Sequence, residues 1–309
     1  MKNYSRPLHN NHLVLDFLTR ALGEKNSIQL GDDIQRIVTA EKLLQSTTAE
    51  PTLKDRSNRH TFYATDERRR LLREQIFEEL AFKERLDDDD RISLGHGGSL
   101  PKTGLKYEGK AYIIIGLPAS GKSTIASAIA DHFNAAIIDS DYAKRKFPEY
   151  CLPQGASIVH DESTLVTFGD ESGMSDEPSL YEFFTKDTSN IVIPKIGHDE
   201  ESVIGLRDKL LSNDVANYSE VHLVLVSVDR SISTKRALKR FLKTDRYVPL
   251  SLVFDVYAND PTLTYYRVRE CVKWTSTGKV KTDQASPVYI GGTDNSNPAE
   301  VLFGGKNVQ

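Results

Sequence analysis

Cysteine is nearly absent: Cys151 and Cys271 are the only two in 309 residues, too few for a disulfide framework and without the paired spacing that holds zinc. Long apolar runs are missing as well. No stretch has enough consecutive apolar residues to span a bilayer, and the opening MKNYSRPLHNNHLVLDFL lacks the apolar centre of a secretion signal. The chain is therefore expected in a reducing cytoplasm with no membrane partner. Neither sign of charge dominates, since 40 Lys and Arg face 44 Asp and Glu for a net −4. Nothing draws the whole chain to nucleic acid, and no basic stripe is interleaved with aromatics. What is left, 39% hydrophobic and 27% charged residues, is the composition of an ordinary globular protein, with length for a domain of about 200 residues and a smaller appendage.

Three stretches before residue 90 have helical periodicity: Leu13, Phe17, Leu18, Ala21 and Leu22 on one face, then Leu30, Ile34, Ile37 and Val38, then Leu72, Ile76 and Leu80. Gly23 and Gly31 are expected to punctuate the first two, and Thr65 with Asp66 and Glu67 to cap the third. DDDDRISLGHGGSLPKTG follows, a run of like charge and then Gly, Ser and Pro, which predicts a solvated connection. The expected organisation is an all-α segment over 1–90, a linker over 91–110 and an α/β domain over 111–309. In the last, the short apolar runs YIIIG (112–116), AAIID (135–139), NIVIP (190–194) and VHLVLVSV (221–228) show no polar alternation. Such strands are buried on both faces, as in a parallel sheet between two helical layers. From STGKVKTDQAS onward the signal weakens to one edge strand, PVYI, and a polar tail.

GLPASGKST, residues 116–124, joins the first of these strands to the amphipathic STIASAIADHF. Gly-x-x-x-x-Gly-Lys-Ser needs little backbone bulk, so that consecutive amides curl round an anion at a helix N-terminus. Gly116 and Gly121 supply the freedom, Pro118, Ala119 and Ser120 complete the loop, Lys122 bridges the β- and γ-phosphates, and Ser123 holds magnesium beside Thr124. This is a nucleotide cradle of the P-loop type.

The second strand ends in IIDSDYAKRKFPEY. A carboxylate at that tip can take the proton of an acceptor hydroxyl beside the γ-phosphate. Asp139 and Asp141 both qualify, and capping of the next helix is the alternative for either. RALKRFLKTDRYVP brings Arg236 and Arg240 to one helix face and Arg246 just beyond a turn, where arginines can spread positive charge over a transferring phosphoryl group. Taken alone, such a basic helix face is commonly just solvated.

Across roughly residues 112–269 these ordered blocks resemble the zeta toxin family of bacterial small-molecule kinases. GLPASGKST resembles its P-loop, IIDSDYAKRKFPEY its Asp-x-Asp block, VHDES its substrate-side helix, and the arginines before YVP its lid arginines. The resemblance implies a P-loop kinase-like three-layer α/β sandwich with a parallel sheet. It makes Asp141 the general base, Lys122, Arg240 and Arg246 the catalytic cations, Arg236 a nucleotide contact, and Ser123 with Asp139 the magnesium site. It also makes Lys144, His160 and Glu162 substrate-binding. Lys195 and Ile196 stand where many zeta toxins have Gly-Thr, which opens the identity of the acceptor; Lys195 could pair with the acceptor's phosphates. The family implies ATP or GTP as donor and a nucleotide-linked amino sugar such as UDP-N-acetylglucosamine as acceptor. A dinucleotide such as NAD, or the chain itself through TFGDESGMSDEPS or the tail, is the alternative. Zeta toxins are held off by a helical antitoxin, so the leading helices are expected either to act as a fused antitoxin in cis or simply to complete the kinase surface. A rival outside the family is a nucleotide-dependent switch with no metabolite acceptor, for which Asp229 is the only acid at the end of the fourth strand.

Overall fold

The computed structural model describes residues 7–25, 28–46, 49–170, 175–212, 216–293 and 297–305, the side chains of residues 28 and 29 excepted. Residues 171–174 of the segment considered for self-modification, and the end of the tail, lie outside these ranges.

In chain order the elements are α1 (Asn11–Asp16, continued by a π-helical turn Phe17–Ala21), α2 (Ile28–Leu44), α3 (Asp66–Phe82), β1 (Lys110–Gly116), α4 (Lys122–Phe133), β2 (Ala136–Ile137), α5 (Ser140–Lys146), α6 (Gly155–Ile158), α7 (His160–Phe168), α8 (Leu180–Lys186), β3 (Ile191–Lys195), α9 (Glu200–Leu211), β4 (Glu220–Ser227), α10 (Arg230–Thr244), α11 (Asp260–Cys271), β5 (Ser276–Lys281), β6 (Val288–Gly292) and α12 (Pro298–Phe303). The strands form one sheet in the order β2-β3-β1-β4-β5-β6, parallel except for the antiparallel β5/β6 edge. β1 and β4 are buried almost end to end, as strands between two helical layers must be. The expected three-layer α/β sandwich is present. The chain runs from β1 to one side of the sheet through β2 and β3, then to the other through β4, so the crevice at the C-terminal end of β1 is the topological switch point where ligands bind in such sheets.

The boundaries before residue 110 differ from the sequence expectation. The three leading helices do not form a unit of their own. Thr65 does cap α3, accepting from Arg68 N at 3.4 Å, but Leu72, Ile76 and Leu80 are buried in the same core as the sheet. Leu8, Phe17, Leu18, Leu30, Ile34 and Ile37 instead form a second core with Leu238, Phe241, Tyr247, Leu250 and Phe254, on and just after α10. Gly23 ends the first helical stretch at φ +67, whereas Gly31 lies inside α2. The stretch 91–110 is not simply a solvated linker: Ser99 is buried and its carbonyl accepts from Ile137 N at 2.9 Å, at the sheet edge.

β5 was illegible in the sequence. Ser276, Thr277, Gly278 and Lys279 carry no apolar signal, yet Ser276 and Thr277 are buried beside β4. Their polar side chains are satisfied locally, Ser276 Oγ by His222 Nδ1 at 2.8 Å and by Asn297 Nδ2 at 2.9 Å, which removes the usual cost of burying hydroxyls.

Candidate active site

The P-loop leaves β1 at Gly116, whose Cα faces Val226 so closely that a Cβ there would meet its carbonyl oxygen at 2.7 Å. It enters α4 through Gly121 at φ +96, a conformation that side-chain-bearing residues avoid. Between them the loop curls round its own lysine: Lys122 Nζ donates to the carbonyls of Gly116 at 2.8 Å and Leu117 at 2.7 Å. Two outside residues hold the loop. Thr282, just past β5, donates from Oγ1 to Ser120 O at 2.6 Å, and Ser233 of α10 donates to Pro118 O. Ser123 and Thr124 open α4 with exposed side chains.

Asp139, two residues past β2, caps α5, its carboxylate accepting from Asp141 N at 2.9 Å. Asp141 belongs to the first turn of that helix. Lys144, one turn on, donates to Asp141 Oδ1 at 2.9 Å. The capping role and the proximity to the cradle therefore coexist, since both carboxylates line the same cavity.

That cavity, of about 280 Å³, is bounded by Pro118, Ala119, Gly121, Lys122 and Ser123 of the P-loop, by Asp139, Asp141 and Arg145, and by Arg236, Ala237, Arg240, Arg246 and Val248. Its charged wall carries five cations against two carboxylates, which suits a polyphosphate. Arg236 is fixed by donating to Thr282 O at 2.6 Å. A wider groove of about 370 Å³ between His198–Glu201 and α11 has no phosphate cradle.

The fields in the cavity divide its titrating groups. Lys144 above all, and then Arg145, hold the Asp141 carboxyl well below the usual carboxylate range, against the effect of burial. Burial and the adjacent Asp141 charge push Asp139 up to about 6. Burial also lowers Lys122 to about 8, although Asp139 and Asp141 oppose it. A cation between Asp139 and bound phosphates would relieve the carboxylate repulsion. Among the described residues no three His, Cys, Asp or Glu side chains cluster as a metal cage. The donor set, one hydroxyl and one carboxylate beside a phosphate cradle, fits magnesium, which is usually shared between a few protein oxygens and the nucleotide.

Of the residues expected from the sequence, Lys122, Ser123, Asp139, Asp141, Arg236, Arg240 and Arg246 converge on this cavity. None of the four substrate-side residues lines it. Glu162 is fully buried against α3: Arg69 Nε lies 2.8 Å from Oε2, Arg73 Nη1 lies 3.0 Å from Oε1, and Thr52 Oγ1 donates at 2.8 Å. Burial would raise its pKa, but Arg69, Thr52 and Arg73 together outweigh this and leave the carboxyl below its ordinary value. The expectation that Glu162 binds substrate is corrected: its hydrogen-bonding capacity is spent on partners 89 to 110 residues away in the chain. His160 is exposed at the start of α7. Lys195 ends β3 with its ammonium 5.6 Å from the Phe168 ring centroid and 3.4 Å from Ser202 Oγ. Lys144 reaches the site through Asp141. The residue that sequence reading missed is Arg145, which is i+4 from Asp141 on α5 and hence on its face.

No family model matches the chain, and no curated protein does. Among solved structures it is similar to that of the PezAT chromosomal toxin–antitoxin system of Streptococcus pneumoniae, with 16% identity and a TM-score of 0.48 over 79% of this chain and 91% of that one. It is also similar to the AvrRxo1-ORF1:ORF2 complex, with 16% identity and a TM-score of 0.44 over 81% and 75%. A gluconokinase from Sinorhizobium meliloti 1021 shares 17% identity and a TM-score of 0.31 over 58% and 86%. These likenesses concern the course of the backbone; the chemistry of the site is read from its own side chains.

Proposed function

We propose that this chain is a P-loop kinase that passes the terminal phosphoryl group of ATP or GTP to a hydroxyl of a nucleotide-linked sugar or related metabolite, in the manner of the zeta toxins its sequence blocks resemble. The observation that carries the reading is the single cavity shared by the phosphate cradle, the Asp141 carboxylate and the arginines of α10 and its following loop. Asp141, kept ionised by Lys144, accepts the proton of the acceptor hydroxyl as its oxygen bonds to phosphorus. The bond from phosphorus to the bridging oxygen breaks, and the leaving diphosphate takes the electron pair. Lys122, Arg240 and Arg246 balance the charge that builds on the phosphoryl and leaving oxygens. Ser123 and Asp139 would hold magnesium, which would neutralise phosphate charge when bound.

The switch alternative needs a residue near the γ-phosphate to orient water. Its candidate, Asp229, instead caps α10, accepting from Ser231 N at 2.7 Å and from Ser231 Oγ, which favours transfer over hydrolysis. Incubating the protein with labelled ATP and a panel of nucleotide sugars and dinucleotides tests the reading. Label on an added metabolite supports it, label on the protein itself makes the chain its own acceptor, and full ATP turnover without any acceptor supports the switch.

The leading helices have a role in this reading as a restraint acting in cis. Arg36 of α2 donates to Leu242 O at 3.1 Å and to Asp245 Oδ1 at 2.6 Å, so it occupies the C-terminal end of α10. Glu41 accepts from Tyr247 Oη at 2.6 Å. Among the described residues, none of 7–46 lines the cavity. The helices therefore act on the segment that carries Arg236, Arg240 and Arg246, and do not plug the site.

A further inference from the structure

The acidic run ahead of β1 reaches the candidate site. Asp88 caps a short 3₁₀ turn, Asp89–Arg91, by accepting from Asp90 N at 3.0 Å. Tyr142 of α5 donates to Asp89 Oδ1 at 2.8 Å and pins that turn beside the cavity. The consequence is that Asp90 lies on two of the cavity's arginines. Its Oδ1 is 3.3 Å from Arg246 Nη1 and 3.5 Å from Arg145 Nη2, while its carbonyl accepts from Arg246 Nη2 at 3.2 Å.

These contacts use little of what the arginines offer. A guanidinium presents five donors in a planar fork matched to the paired oxygens of a phosphate. Here one half-exposed carboxylate serves two such forks through a single oxygen, at distances long for charged hydrogen bonds. Arg145 has its side chain only 4% exposed, and its Nε is buried without a hydrogen-bond partner. A buried, always-charged group with an unmet donor on a cavity wall marks a place for an anion. Arg246 is held in reach by the Tyr150 ring, whose centroid is 5.1 Å from its Cζ.

We propose that Asp90 is an internal anion seated on a phosphate fork made by Arg145 and Arg246, a latch that the terminal phosphate of the nucleotide must displace before transfer. The proposal rests on the kinase reading and adds to it a residue from outside the P-loop domain that opposes substrate entry. The latch is weak by construction, because a half-exposed carboxylate in long contact is easily outcompeted by a phosphoryl group with three oxygens. Its effect falls on the triphosphate: the β-phosphate is held by the P-loop, which Asp90 does not touch.

The test is calorimetric titration of the full chain with a non-hydrolysable ATP analogue and with ADP, both with magnesium. Asp90→Asn is expected to bind the triphosphate about three- to fivefold more tightly, the range set by one weak surface ion pair, with ADP changing by less than about twofold. Asp87→Asn, in the same run, is expected to change neither. Asp90→Ser repeats the measurement should the Asn variant melt abnormally. Unchanged or weaker triphosphate binding in a folded Asp90 variant overturns the latch and leaves the kinase reading in place. Failure of the unaltered chain to bind either nucleotide overturns both.

Discussion

Lys144 Nζ sits 2.9 Å from Asp141 Oδ1, one helical turn apart on α5. The pair fixes the candidate base in its ionised form and makes the cation beside it part of the chemistry. In the nucleotide-free protein the first carboxylate to gain a proton on acidification is Asp139, raised to about 6, while Asp141 stays charged to lower pH. The acid limb of kcat/KM is expected near pH 6, with activity lost as pH falls through it, because a protonated Asp139 no longer attracts magnesium. Lys144→Met removes a positive charge that lowers Asp139 as well as Asp141, so the limb should move to higher pH, whereas Lys144→Arg should leave it in place. An identical limb in the Met variant would show that Lys144 does not set the charge of this carboxylate pair.

Lys122, lowered to about 8 by burial, gives a second pH signature. Below that value the lysine is charged before the nucleotide arrives. Above it, a bound triphosphate must restore the charge, since negative phosphates raise the pKa. Nucleotide binding at pH 8.5 should therefore take up a fraction of a proton and weaken as pH rises, while binding at pH 6.5 should take up none at this group. Calorimetry in two buffers of different ionisation enthalpy reads the difference; no pH dependence of proton uptake between pH 6.5 and 8.5 would contradict it.

Glu162→Gln tests the correction to the sequence reading. Arg69 and Arg73 would keep buried charges that no carboxylate at 162 balances, and removing one partner of such a network typically costs about 3–5 kcal/mol. The denaturation midpoint should fall markedly, with KM for an acceptor little changed in the protein that remains folded. A selective rise in KM at unaltered stability would return Glu162 to the substrate site.

Much of the nucleotide half of the site was legible because its signals are local. Gly116, Gly121, Lys122 and Ser123 are contiguous, and Asp139 and Asp141 follow the next apolar run directly. The parts that were not legible depend on contacts distant in sequence. Glu162 reads as a polar helix residue until Arg69 and Thr52 are brought against it. β5 has too few apolar residues to announce a strand, yet its end places Thr282 on the P-loop. The run 87–90 reads as a solvated connection, and Asp87 and Asp88 are indeed exposed. Only the docking of Asp89 on Tyr142 turns Asp90 toward the arginines.

The two cores also decide how the leading helices should be removed. A chain beginning at Lys106 loses α3, leaving Glu149 and Glu162 buried without Arg69 and emptying the space of Leu72, Ile76 and Leu80. It is expected to be insoluble. A chain beginning at Ala49 keeps those contacts and loses only the helices packed on Phe241, Tyr247 and Leu250. If α1 and α2 restrain the arginine segment, that chain, and the full chain carrying Arg36→Ala, should both turn over ATP several-fold faster in the presence of acceptor. Equal turnover would make these helices a packing appendage.

Replacing Asp141 by Asn tests the base assignment most directly, because the change keeps shape and removes only the carboxylate charge. Nucleotide affinity, measured by calorimetry, should stay within about tenfold, while phosphoryl transfer from labelled ATP to an accepting metabolite should drop by about 10² to 10⁴. Transfer that continues at the unaltered rate would mean that another group takes the proton and that Asp141 is there to cap and to balance charge.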